Sequence, residues 1–93
     1  MILEIVSPEA KLFSGEVTSV TVPGVDGSFQ ILNNHAPIVS ILEKGTIKIA
    51  APSFNFSKDV VGKFTKVNDQ TYTLEITSGT IEMKDNKVIV LVD

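Results

Sequence analysis

Alternation of apolar and polar residues dominates this chain, and it leaves room for little except strands with one buried face. Tyr72, Leu74 and Ile76 fall on one side of an extended segment, while Thr71, Thr73, Glu75 and Thr77 fall on the other. Ser78-Gly79 then interrupts, and Ile81 and Met83 alternate with Thr80, Glu82 and Lys84. Asp85-Asn86 marks a short turn, after which Val88, Val90 and Val92 alternate with Ile89 and Leu91. The spacing predicts three antiparallel strands in a row. Because Ile89 and Leu91 are also apolar, the last strand is expected to be covered on both faces, and so to be central or to sit under a second layer.

The first half follows the same logic in shorter pieces. Leu3-Glu4-Ile5-Val6 ends before Pro8, and Ser14-Gly15 reads as a turn into a strand from Glu16 to Val22 that stops at Pro23-Gly24. Asp26-Gly27 is another turn, Phe29 and Ile31 continue one face, and Asn33 to Pro37 is a polar loop. Ile38 to Leu42 is a strand, Glu43-Lys44-Gly45 a turn, and Ile47 and Ile49 alternate with Thr46, Lys48 and Ala50. No window carries a helical stripe, and β-branched residues fill the periodic segments. The expected fold is all-β, a two-layer antiparallel β-sandwich or flattened barrel of about eight to ten strands. Leu3, Ile5, Val20, Val22, Ile31, Ile47, Ile49, Leu74, Ile76, Val88 and Val90 should form its core. Residues 51–70 break the pattern: Phe54 and Phe56 could alternate as a strand, and the segment is either an extra hairpin or a loop.

Ninety-three residues, 43% of them hydrophobic and 20% charged, suit one folded domain. The eight basic residues are all lysines against eleven acidic ones, for a net charge of −3. Without an arginine fork to grip phosphate or guanine, nucleic acid is a poor partner. Zero cysteines and a single histidine exclude thiolate and multi-histidine metal sites within one chain. No apolar run reaches the roughly 20 residues of a membrane span, so direct insertion into a bilayer is not expected. Nor does Met1-Ile2-Leu3-Glu4 resemble a secretory leader, which points to the cytoplasm.

Catalysis has few candidates. His35 could serve as a general base, but no motif supplies a nucleophile or an orienting acid, and a histidine in a proline-containing loop reads more readily as structural or interfacial. Pro23-Gly24-Val25-Asp26-Gly27-Ser28 has the look of a phosphate loop but lacks the Gly-Lys-Ser/Thr ending and a following helix, so it reads as β-turns. Lys84, beside the Asp85-Asn86 turn, resembles the hairpin lysine that carries the prosthetic group in lipoyl and biotinyl carrier domains. Those domains place the lysine near their middle, whereas only nine residues follow Lys84, so the carrier is the second reading.

The turn signals together resemble one family. Pro23-Gly24-Val25-Asp26-Gly27-Ser28-Phe29-Gln30-Ile31-Leu32 leading to His35-Ala36-Pro37, then Leu42-Glu43-Lys44-Gly45, is similar to the F-type ATP synthase epsilon subunit. Ile5-Val6-Ser7-Pro8-Glu9 and Phe13-Ser14-Gly15-Glu16-Val17 fit that family's opening, and Ser78 to Met83 with Asn86 to Leu91 fit its closing hairpin. Gln30 and Thr80 stand where glycines are usual, Ser28 where an acidic residue is frequent, and 51–70 looks like an insertion in an otherwise single sandwich domain. The family's C-terminal helical hairpin has no counterpart before Asp93, which suggests a short form or a shortened chain.

The resemblance implies a non-catalytic rotor subunit without cofactor or metal, linking the gamma subunit to the c-ring and coupling proton or sodium flow to ATP synthesis. It would sit peripherally on the cytoplasmic face of the bacterial inner membrane as part of that complex. It also implies that Ser7, His35 and Ser40 face gamma and that the Asp26-Gly27-Ser28 turn faces the c-ring.

Overall fold

A sheet with one apolar face must bury that face, and this chain does so by bending a single ladder back over itself. The computed structural model describes residues 1–93. It contains β1 (Ile2–Val6), β2 (Lys11–Glu16), β3 (Ser19–Gly24), β4 (Gly27–Leu32), β5 (Ile38–Leu42), β6 (Gly45–Ala50), β7 (Phe64–Asn68), β8 (Thr71–Ile76), β9 (Gly79–Lys84) and β10 (Lys87–Val92). Its only helical element is the 3-10 turn Val61–Lys63.

The strands form one curled sheet in the order β2-β1-β10-β9-β5-β3-β6-β8-β7, with β4 beside β3. Two five-stranded layers result: layer one is β2-β1-β10-β9-β5 and layer two is β4-β3-β6-β8-β7. The single pair Gly24↔Leu42 joins them along β3 and β5. Both layers feed one cluster of 22 buried hydrophobic residues, and no polar residue is buried. All eleven expected core positions belong to it.

The register explains how the layers are connected. β5 pairs with β9 from Ile38↔Met83 to Leu42↔Gly79, and β6 pairs with β8 from Gly45↔Ile76 to Ala50↔Thr71. Three steps separate Leu42 from Gly45 and three separate Gly79 from Ile76, so no residue is gained or lost between the two ladders. Residues 38–50 and 71–84 are therefore one long antiparallel ribbon, bent where Glu43-Lys44 faces Thr77-Ser78. This corrects the expectation of three strands in a row: the chain bends at Ser78-Gly79 without reversing, and β8 does not pair with β9. Gly79 allows the bend, because a Cβ there would lie inside 3.0 Å of the Leu91 carbonyl oxygen of β10.

Four further expectations are revised. Ser14-Gly15 is not a turn but lies inside β2, where Leu3↔Gly15 and Glu4↔Ser14 pair. The corner falls instead at Val17-Thr18, with the Thr18 amide and hydroxyl both donating to the Ala50 carbonyl at 2.8 and 2.9 Å. β1 and β10 pair in parallel, the one exception to antiparallel order. Leu91 is 52% exposed, so β10 is central within its layer but covered on one face only.

Finally, Phe54 and Phe56 belong to no strand, whereas β7 and β8 make the extra hairpin. Their rings stack 5.5 Å apart and reach Phe13 of β2, Phe64 of β7 and Tyr72 of β8 at 4.5–6.0 Å. β2 and β7 are the two ends of the strand order, so the 51–60 segment seals the side of the sandwich that no ladder closes.

The Gly79→Ala substitution tests the bend. Its methyl must displace the β10 backbone, and we expect a loss of about 1–3 kcal/mol, read as a lower midpoint of urea unfolding at unchanged slope.

Candidate interaction surface

Each layer has an outer face, and register decides what it shows. On layer two the outward row runs Gln30–Thr21–Lys48–Thr73–Thr65 across five strands, polar at every position. Thr46 and Glu75 add a side-chain hydrogen bond to the same face. On layer one the outward row runs Ile41–Thr80–Leu91–Val6, apolar at three of its four positions. The next row, Val39–Glu82–Ile89–Glu4, continues it with two more apolar side chains.

Val39 is 78% and Ile41 65% exposed, which for adjacent outward positions of one strand makes a patch rather than scattered residues. At the end of the band a surface hollow of about 600 Å³ is lined by Ser7, Ile41, Thr80, Leu91 and Asp93 among others. No group of three or more His, Cys, Asp or Glu side chains is arranged to hold a metal ion.

The face also carries a charge cluster that orders its other edge. Glu4 accepts from Lys87 at 3.0 Å and from Lys11 at 3.3 Å, joining β10, β1 and β2. The Lys87 ammonium, and after it that of Lys11, hold the Glu4 carboxyl below its ordinary value of 4.5.

The predicted site residues are distributed around this band. Ser7 closes the β1–β2 turn, its hydroxyl donating to the Ala10 carbonyl and accepting from the Ala10 amide, both at 3.2 Å. His35 is exposed in the β4–β5 loop at the other end of β5; its amide donates to Leu32 at 3.1 Å and its Nδ1 lies 2.7 Å from the Ala36 carbonyl. The Asn86 carboxamide holds this loop, accepting from the Asn34 amide at 2.7 Å. Ser40 faces inward, paired with the buried Ile81, and its hydroxyl donates to the Ile41 carbonyl at 3.3 Å. Ser7 and His35 thus flank the two ends of the band, and Ser40 backs it from the inner side.

Asp26, Gly27 and Ser28 lie at the exposed tip of the β3–β4 hairpin, whose turn needs the positive φ of 116° that Gly27 supplies. Gly24 pairs with Leu42, so this turn stands at the same end of β5 as Ser7, beside Ile41. Lys84 is exposed beside the Asp85-Asn86 turn, where both residues take φ near +55° (52° and 59°).

Val39, Ile41 and Leu91 were not among the sequence candidates. Their signal was present: Ile38 to Leu42 and Val88 to Val92 carry apolar side chains on both faces. One layer covers a strand on one side only, so the second apolar face is left outside.

Comparison with known proteins places the chain in a family. The family described as ATP synthase, Delta/Epsilon chain, beta-sandwich domain matches residues 1–93. An ATP synthase epsilon chain of Chlorobium limicola is 36% identical over 91 residues, covering 98% of this chain and 86% of the relative. One from Desulforamulus reducens is also 36% identical over 91 residues, but there the chain spans only 57% of the relative's length. Among solved structures, the central stalk and c-ring of Tetrahymena thermophila mitochondrial ATP synthase contains a chain that superposes with a TM-score of 0.69 at 20% identity, covering 98% of this chain and 61% of that one. A chain of the Euglena gracilis mitochondrial ATP synthase gives 0.77 at 17% identity, covering 99% and 49%. At these identities the structural likeness shows the fold.

The Glu4 cluster makes a pH prediction. A folded value below the unfolded one means that Glu4 contributes stability above pH 4.5, and that this contribution is lost as pH falls through the depressed folded value. Glu4→Gln should therefore unfold at lower urea than the parent protein at pH 7. The gap should close as the pH is taken well below 4.5, in paired denaturation curves.

Proposed function

Since the chain belongs to the ATP synthase delta/epsilon chain family through its β-sandwich domain, we propose that it is a non-catalytic central-stalk subunit of an F-type ATP synthase. It docks on the gamma subunit through the outer face of layer one. The observation that carries this reading is the Ile41–Thr80–Leu91–Val6 row with Val39 beside it, an apolar band on a face that no other part of the chain covers. Covering such a band supplies the buried apolar centre that a stable interface needs. Ser7 and His35, at its two ends, fall at the rim of that contact, and Ser40 acts by holding β5 from behind.

The Asp26-Gly27-Ser28 turn is the part we assign to the c-ring. It projects from a rigid hairpin, is polar, and stands at the Leu42 end of β5. A rigid sandwich with two separate contact regions transmits torque without chemistry of its own. No helix is long and apolar enough to cross a membrane, and we place the protein peripherally, on the cytoplasmic face of the bacterial inner membrane, through its partners. The carrier reading of Lys84 receives no support from a family match that spans the whole chain.

Two variants test the assignment. Ile41→Asp should weaken binding to the cognate gamma subunit by about a hundredfold or more, since an unpaired charge would be buried at the interface centre. Its circular dichroism should be unchanged because the side chain is exposed. Ser28→Arg should leave gamma binding intact and lower proton-pumping efficiency in the assembled enzyme. Loss of gamma binding with Ser28→Arg but not with Ile41→Asp would reverse the orientation.

A further inference from the structure

The apolar band contains one charge that nothing in the chain neutralises. Glu82 is the cross-strand partner of both Val39 and Ile89, so it stands between two apolar side chains on the outer face of layer one. The other carboxylate of that face, Glu4, takes both Lys87 and Lys11. Lys84 and Lys87 line a hollow with Glu82 and Asp85, yet Lys87 is committed to Glu4 and Lys84 forms no ion pair. Glu82 makes neither an ion pair nor a side-chain hydrogen bond.

Cross-strand neighbours sit about 5 Å apart, so a partner seated on Val39 comes within reach of the Glu82 carboxylate. Taking an ionised carboxylate out of water without a counter-charge is costly. We propose that the segment of the stalk partner seated on this band carries a lysine or arginine that pairs with Glu82, set among apolar residues that contact Val39, Ile41 and Leu91. The inference rests on the docking reading above and adds to it the chemistry of the partner surface. Apolar contact makes the interface adhesive, and the buried pair makes it selective for one partner and one register.

The sign of one substitution discriminates. If the partner offers only apolar surface, Glu82→Leu removes a desolvation penalty and binding to the cognate gamma subunit becomes tighter. If it offers a cation, Glu82→Leu and Glu82→Gln leave that cation unpaired and raise Kd by about tenfold or more. Glu82→Lys should weaken binding further, and replacing a single basic residue of gamma by glutamate should restore affinity to it. Lys84→Gln should change Kd by less than about twofold.

Calorimetric titrations of these variants against gamma, with Ile41→Asp alongside, give the outcomes. Glu82→Leu binding as well as or better than the parent, while Ile41→Asp still abolishes binding, overturns the ion pair and leaves the docking face standing. A loss with Lys84→Gln equal to that with Glu82→Leu assigns the neutralising charge to Lys84 and also overturns it. If Ile41→Asp binds normally, the docking face fails and the inference with it.

Discussion

The close approach of Gly79 to the Leu91 carbonyl is the contact on which the rest of this architecture depends. A ribbon of residues 38–50 and 71–84 keeps one register throughout yet must serve two layers, so it has to bend sharply with both strands in step. The inside of that bend has no room for a side chain beside β10. Gly45 answers it on the other strand, where a Cβ would come within 2.8 Å of the Pro23 ring. With both strands free to fold, the apolar faces of β5-β9 and β6-β8 turn toward each other, and the 22-residue core closes between them.

The closure is asymmetric, and the two outer faces differ. On one side the layers are joined through β3 and β5; on the other, where β2 and β7 end the strand order, Phe54 and Phe56 fill the gap with aromatic contacts. Each layer then has a single outward face. The central row of layer two is threonine, lysine and glutamine, which need nothing beyond water. Layer one keeps valine, isoleucine and leucine outside, an arrangement that a partner subunit can complete and solvent cannot. The stalk role proposed above calls for that combination: a stiff body with one adhesive face.

Much of this was legible in advance, for local reasons. Period-two alternation located the strands other than β2 and β7, and all eleven named core residues, because burying one face of a strand is a rule that neighbouring residues obey together. Turn chemistry located Asp26-Gly27 and Asp85-Asn86, since few residues accept a positive φ. Two of the corrections share one cause. Ser14-Gly15 and Ser78-Gly79 were read as turns because glycine beside serine usually marks one. Here the first glycine lies inside β2, and the second makes room for the neighbouring β10 backbone.

The class of fold, the inward set of side chains and the family are each carried by residues adjacent or alternate along the chain. The tertiary structure alone decided that β8 and β9 are two halves of one bent strand, and that β1 runs parallel to β10. It also decided that Val39, Ile41, Leu91 and Glu82 share one exposed face. The reason is physical: an apolar residue on a strand carries the same pattern whether its own chain or another protein covers it. Which of the two applies depends on how many layers lie above it, and that number is set only when distant strands have paired.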